Sequence, residues 1–144
     1  MRTKRFVLGV MLAVGTALPA AAHHSFAMYD RMHTVTLTGI VKEYSWTSPH
    51  VTIHVLADHA GGGFVTWVIE GSTPSVLARG GWTSSLLKPG DKISIGMHPR
   101  KDGAAGGLLA DEQQMLINGQ PPRGVLWLTP YSEAFVKSDC SAAN

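Results

Sequence analysis

From Val35 to Val41 the odd positions are apolar or small (Val35, Leu37, Gly39, Val41), and Thr34, Thr36, Thr38 and Lys42 stand against them. A period of two in β-branched residues makes a strand with one buried face. The parity then reverses, because Tyr44 and Trp46 carry the apolar set on even positions. A bulge or sharp bend near Lys42 and Glu43 returns both sets to one side. The chain therefore opens on a long, strongly bent strand.

Pro49 interrupts the pattern, since it cannot donate to a ladder, and Val51, Ile53 and Val55 restart an apolar face opposite His50, Thr52 and His54. Asp58 to Gly63 reads as a glycine-rich turn, and Val65, Trp67 and Ile69 as the inner face of a third strand running from Phe64 to Glu70. A tight turn centred near Ala60 pairs Val51 with Ile69, Ile53 with Trp67 and Val55 with Val65, which sets His50 opposite Glu70. A slip of two residues would keep the faces and change the partners.

Ser72-Thr73-Pro74 predicts a short helix, with a hydroxyl cap and proline at the first position, stopped by Gly80-Gly81. Leu87 to Asp91 has the proline and glycine of a type II turn. Ile93, Ile95 and Met97 predict a fourth strand ending at His98-Pro99, and Arg100 to Gly107 a turn. A less regular fifth strand is expected from Leu108 to Ile117, and Val125 to Leu128 is either a last short strand or a packed tail. The fold class is mainly β. A five-stranded OB-like barrel, with one short helix between strands three and four, fits this order.

Residues 1–22 have the parts of a secretory signal: basic Arg2, Lys4 and Arg5, an apolar run, and Ala20 and Ala22 before the cleavage point. Cleavage after Ala22 would make His23 the first mature residue. It would remove three basic residues and no acidic ones, leaving 9 against 10 and turning a formal charge of +2 into −1. That balance argues against a nucleic-acid partner, which needs a basic face. Neither a membrane anchor after signal removal nor a lipid-bearing cysteine at the cleavage point is expected. Residues 23–130 are read as one domain and 131–144 as a polar tail. Its Cys140, the single cysteine, cannot form an internal bridge.

Several motifs occur in order: His23-His24-Ser25-Phe26-Ala27-Met28-Tyr29-Asp30, Trp46-Thr47-Ser48-Pro49-His50, Trp67 with Glu70, Gly81-Trp82, and Leu87-Lys88-Pro89-Gly90-Asp91. Together they resemble a bacterial family of small exported proteins classed as a domain of unknown function, over most of the mature chain up to about Gly107. The resemblance implies export and a compact β domain, and it assigns no activity. Two positions depart from the family's usual pattern: Ser48 stands where Asn is usual and Tyr29 where Phe is usual.

The chemistry concentrates in histidines. An N-terminal His23 would offer its amine and imidazole to one ion, and a His50 brought close by the fold would complete the planar three-nitrogen set suited to Cu(II); if processing left Ala22 at the front instead, the amine, backbone amides and the His24 ring would chelate Cu(II) or Ni(II) locally. Metal candidates are thus His23, His24 and His50. Against this, chain ends commonly fray, and His50 has a purely structural reading as a partner of Glu70. The two combine if Glu70 orients His50 from behind. Trp46, Ser48, His50 and Glu70 are the candidate ligand-binding residues, with Trp46 expected to be exposed beside the Pro49 loop. Met28, Met32, Met97 and Met115 lack Met-x-Met clustering and read as packing residues. No catalytic residue is assigned, since nucleophile, paired-carboxylate and Cys-x-x-Cys patterns are missing.

These features point to a periplasmic or secreted binding protein, more a binder than an enzyme, with copper as its candidate cofactor. The alternative is a metal-independent module that takes a protein or small planar ligand at the Trp46 to His50 loop. A copper-dependent oxidase on the same histidines is the third option.

Overall fold

The computed structural model describes residues 26–110 and 114–126. The long first strand, β1 (Val35–Ser45), is where the barrel is made. Its first half pairs antiparallel with β4 (Lys92–Pro99), from Val35 opposite Met97 to Ile40 opposite Lys92. Its second half pairs with β2 (Thr52–Asp58), and the register shifts between Val41 and Glu43. The extra residue is Lys42, so Val41 faces Val55 and Tyr44 faces Ile53, and both apolar sets reach the core as the parity reversal requires.

Strands β2 and β3 (Phe64–Glu70) form the expected hairpin with a register two residues away from the expected one. Ile53 pairs with Ile69, Val55 with Trp67 and Ala57 with Val65, and Thr52 rather than His50 lies opposite Glu70. The turn explains the difference. It closes from His59 to Gly63, with the amide of His59 donating to the Gly63 carbonyl at 3.0 Å and that of Gly62 to the His59 carbonyl at 2.8 Å. Gly62 and Gly63 take φ of 90° and 81°, so the reversal centres one residue later than Ala60. A slip of two preserves side-chain parity, and Ile53, Val55 and Ile69 remain buried.

Helix α1 (Pro74–Arg79) follows, with the Thr73 hydroxyl accepting from the Val76 amide at 3.3 Å. Its Leu77 and the following Trp82 are buried in the core. The Lys88 to Asp91 turn takes Gly90 at φ 94°, as a type II turn demands.

The fifth strand differs from its expected form. It begins earlier, as β5 (Gly106–Leu109), and resumes as β6 (Met115–Ile117), both on the same edge of β4. Gly106 and Gly107 are therefore strand residues rather than the end of a turn. Met97 pairs with Leu109 and Ile95 with Met115, so extra chain is inserted in the middle of the strand. Both lips of the insertion are held by Gly96, whose carbonyl accepts from Ala110 at 3.2 Å and whose amide donates to Gln114 at 2.9 Å. β5 also runs parallel to β3, from Val68 opposite Gly106 to Glu70 opposite Leu108, which closes the ring β1-β2-β3-β5-β4. The architecture is an OB-like five-stranded barrel with one short helix between β3 and β4, as expected.

Inside lie Leu37, Val41, Ile53, Val55, Ile93 and Ile95 among others. Val125 packs against this core and the Leu126 amide donates to the Gly80 carbonyl, so the described part of the last stretch, residues 125–126, packs as a tail. The leader (1–22), His23, His24, residues 111–113 of the expected fifth strand, residues 127–128 of the expected last stretch and the 131–144 tail with Cys140 lie outside the described residues.

Gly39 sits where β1 is shared between its two partners. A Cβ there would meet the Leu56 carbonyl oxygen at 2.4 Å and Val55 Cγ1 at 2.7 Å. Gly39→Ala should therefore cost about 1–3 kcal/mol or more in urea unfolding, through forced displacement of β2. A cost no larger than that of an exposed glycine substitution would show that the crossing has slack.

Candidate functional site

The candidate site forms where the end of β3 and the entry to β2 meet an N-terminal arm. The loop from Trp46 to Pro49 brings the chain to His50, and the backbone at once locks to the far side: the Gly71 amide donates to the Val51 carbonyl at 2.7 Å and the Val51 amide to the Ser72 carbonyl at 3.1 Å. This holds His50 over the Glu70-Gly71 peptide. Its Nδ1–H donates to the Gly71 carbonyl at 3.2 Å, because a carbonyl can only accept. The Nε2 edge then faces Glu70, with Oε1 at 3.5 Å. Both side chains are mostly covered, at 27% and 19% exposure.

The other carboxylate oxygen is occupied. The Tyr29 hydroxyl donates to Glu70 Oε2 at 2.8 Å across 41 residues of chain. Tyr29 is only 7% exposed, and burial, aided by the hydrogen bond to Glu70 and the nearby negative charge, pushes its phenol up to about 12.

Tyr29 belongs to an arm that begins with a single 3-10 turn, Phe26–Met28. Polar links fasten the arm to the β4–β5 turn. The Asp30 amide donates to the Pro99 carbonyl at 2.8 Å, and Lys101 donates through its amide to Met28 and through Nζ to Ala27, each at 2.9 Å. His98 Nδ1–H reaches the His33 carbonyl at 2.9 Å, which explains why a buried polar ring is tolerated there. Within the arm, the His33 ring bonded to Asp30 holds that carboxyl below its usual range.

Between arm, helix and β5 lies a pocket of about 380 Å³, whose wall includes Phe26, Arg31, His50, Val76, Leu77 and Leu109. A second hollow of about 350 Å³ is lined by Phe26, Tyr29, Arg31 and Lys101 among others.

Of the residues singled out from the sequence, His50 and Glu70 are brought together, through a route other than cross-strand pairing. Ser48 is exposed at the loop, joined to Pro49 by a cis peptide bond. Trp46 is half-buried rather than exposed, packed on the core beside Tyr44 with ring centroids 6.0 Å apart. His54 lies 4.0 Å from Glu43, and His59 stabilises its turn by accepting from the Gly61 amide at 3.0 Å. Met97 and Met115 are core residues, whereas Met32 is 89% exposed. Among the described residues no set of three or more His, Cys, Asp or Glu side chains converges on a point, so His50 and Glu70 form a pair.

Sequence reasoning missed Tyr29, Arg31 and the Gly71 carbonyl. The one available signal was the departure from Phe at position 29, whose added hydroxyl is the atom that reaches Glu70.

The model of a family of unknown function, DUF6152, matches residues 11–113. The chain belongs to this family. No curated protein matches it. Among solved structures, it is similar to the mitochondrial single-stranded DNA binding protein Rim1 of S. cerevisiae, with a TM-score of 0.43 and 9% identity over 62% of this chain and 97% of that one. As a member of DUF6152, the chain gains a family and no assigned chemistry, so function has to be argued from the pair and its pocket.

Tyr29 gives the site a signature in alkali. Its folded value near 12 stands above the ordinary 10.0, so the folded state favours the protonated phenol. The stabilisation is complete below pH 10 and is lost as pH rises toward 12. Thermal melts of wild type and Tyr29→Phe should diverge below this window and converge across it. Parallel curves at every pH would show that Tyr29 ionises as a solvent-exposed phenol.

Proposed function

We propose that the protein is an exported, non-enzymatic binding protein of the periplasm or extracellular space, and that it holds copper between His50 and the histidines of its mature N-terminus. One observation carries this reading: Phe26 and His50 line the same pocket. His24 precedes Phe26 by two residues and His23 by three, so the extended chain reaches at most about 7 and 11 Å from there. Cleavage after Ala22 would free the amine of His23 for a chelate with its own ring. The Nδ1–H of His50 is committed to Gly71, which fixes the tautomer with Nε2 as the available donor, the usual arrangement of a ligating histidine.

The second reading is a metal-independent module. It is favoured by the apolar part of the pocket wall, Val76, Leu77 and Leu109, which suits a small planar ligand or a partner's side chain beside the Trp46 to His50 loop. In either case the acidic balance of the mature chain favours a partner other than nucleic acid.

Intact mass of the exported protein should begin at His23. Cu(II) titration of that protein should give a tight one-to-one complex, weakened by more than about a hundredfold in His50→Ala, the loss of about 2.7 kcal/mol or more expected for a ligand rather than an outer partner. Equal affinities would sink the joint site. No tight binding by the wild type would sink copper, and a ligand retained in the presence of a chelator would favour the second reading.

A further inference from the structure

Glu70 stands on the wrong side of His50 to orient it from behind. The Gly71 carbonyl does that, at Nδ1, while Glu70 Oε1 faces the Nε2 edge from which an imidazole binds a metal. We infer that Glu70 is itself a ligand, and that His50 Nε2 and Glu70 Oε1 form a two-donor bite for a divalent transition ion. The inference rests on the metal-binding reading above and concerns only residues of the folded barrel.

The first support is electrostatic. With Nδ1 carrying its hydrogen, a neutral His50 turns a lone pair toward a carboxylate oxygen, and two acceptors face each other. Something positive belongs between them. Nε2 and Oε1 stand 3.5 Å apart.

That separation is close to the spacing of two donors on one ion. Bonds of about 2.0–2.1 Å at a tetrahedral angle place the donors about 3.4 Å apart, and at the right angle of a square plane about 2.9 Å. A tetrahedral ion fits the pair nearly as it stands. Cu(II) would draw the two groups together by about half an ångström, within the reach of side-chain torsions.

The second support is preorganisation. His50 is held by Gly71 and Glu70 by the Tyr29 hydroxyl at 2.8 Å, so both donors have an outer partner of the kind metal ligands use. Tyr29 also makes Glu70 one of the points at which the N-terminal arm is held to the barrel, beside the Asp30–Pro99 and Lys101–Met28 bonds. A hard carboxylate beside imidazole, with the core methionines Met97 and Met115 buried, selects a divalent ion over Cu(I).

The test uses the exported full chain with Cu(II) and Cu(I) as probes. Glu70→Gln keeps an acceptor for Tyr29 and removes the anionic donor. It should weaken Cu(II) binding by more than the roughly 10–100-fold that outer partners cost, and change Cu(I) binding little. Tyr29→Phe should fall within that smaller range, and Glu70→His should restore Cu(II) binding with a shifted electron paramagnetic resonance spectrum. Melting curves check folding, and Glu70→His carries the test if Glu70→Gln does not fold. Equal losses in Glu70→Gln and Tyr29→Phe would mean that the carboxylate only anchors the arm, and an unchanged Glu70→Gln would likewise overturn the inference. If His50→Ala is also without effect, the metal-binding reading falls with it. A His50→Ala loss beside an unaffected Glu70→Gln removes the Glu70 ligand alone.

Discussion

The structure depends on one strand having two sets of partners. β1 gives its first half to β4 and its second to β2, and the bulge at Lys42 lets it do so without turning an apolar face to water. A straight strand of the same length would expose either Val41 or Tyr44, and the sheet would stay open. The bend closes the ring, and ring closure brings β3 alongside β5. That last pairing sets Glu70 at the barrel's end, next to the backbone that receives His50.

The site is therefore a product of closure rather than of local sequence. His50 comes from the entry to β2 and Glu70 from the end of β3, Tyr29 from an arm that meets the sheet through an isolated bridge to Arg100, and the pocket wall from the arm, the helix and β5. Glu70 is the junction among them. One oxygen meets the arm and the other meets His50, so a change at either neighbour is felt by the same carboxylate.

Much of the fold was readable because strand parity is a strong signal. The reversal between Val41 and Tyr44 located the bulge, and Ser72 to Pro74 with Gly80-Gly81 located the helix to within a residue. Register was less readable, since parity is blind to slips of two and only the conformations of Gly62 and Gly63 decide the turn's centre. Gly106 and Gly107 resembled a turn and are strand, because pairing against β3 and β4 outweighs local preference there. The histidine and carboxylate of the site were both found from sequence, but their relation was not. A cross-strand pair was expected, and the contact runs instead through the Gly71 carbonyl and an arm whose tyrosine no periodicity marks.

The interrupted fifth strand gives the barrel a point of independent adjustment. Ala110 and Gln114 are both fastened to Gly96, so the chain leaves and rejoins the ladder at a single residue of β4. Ala110 and Leu109 also form part of the pocket wall. A displacement at Gly96 would reach the pocket through Ala110, while the wall that carries His50 is held by the separate bonds between Val51, Gly71 and Ser72.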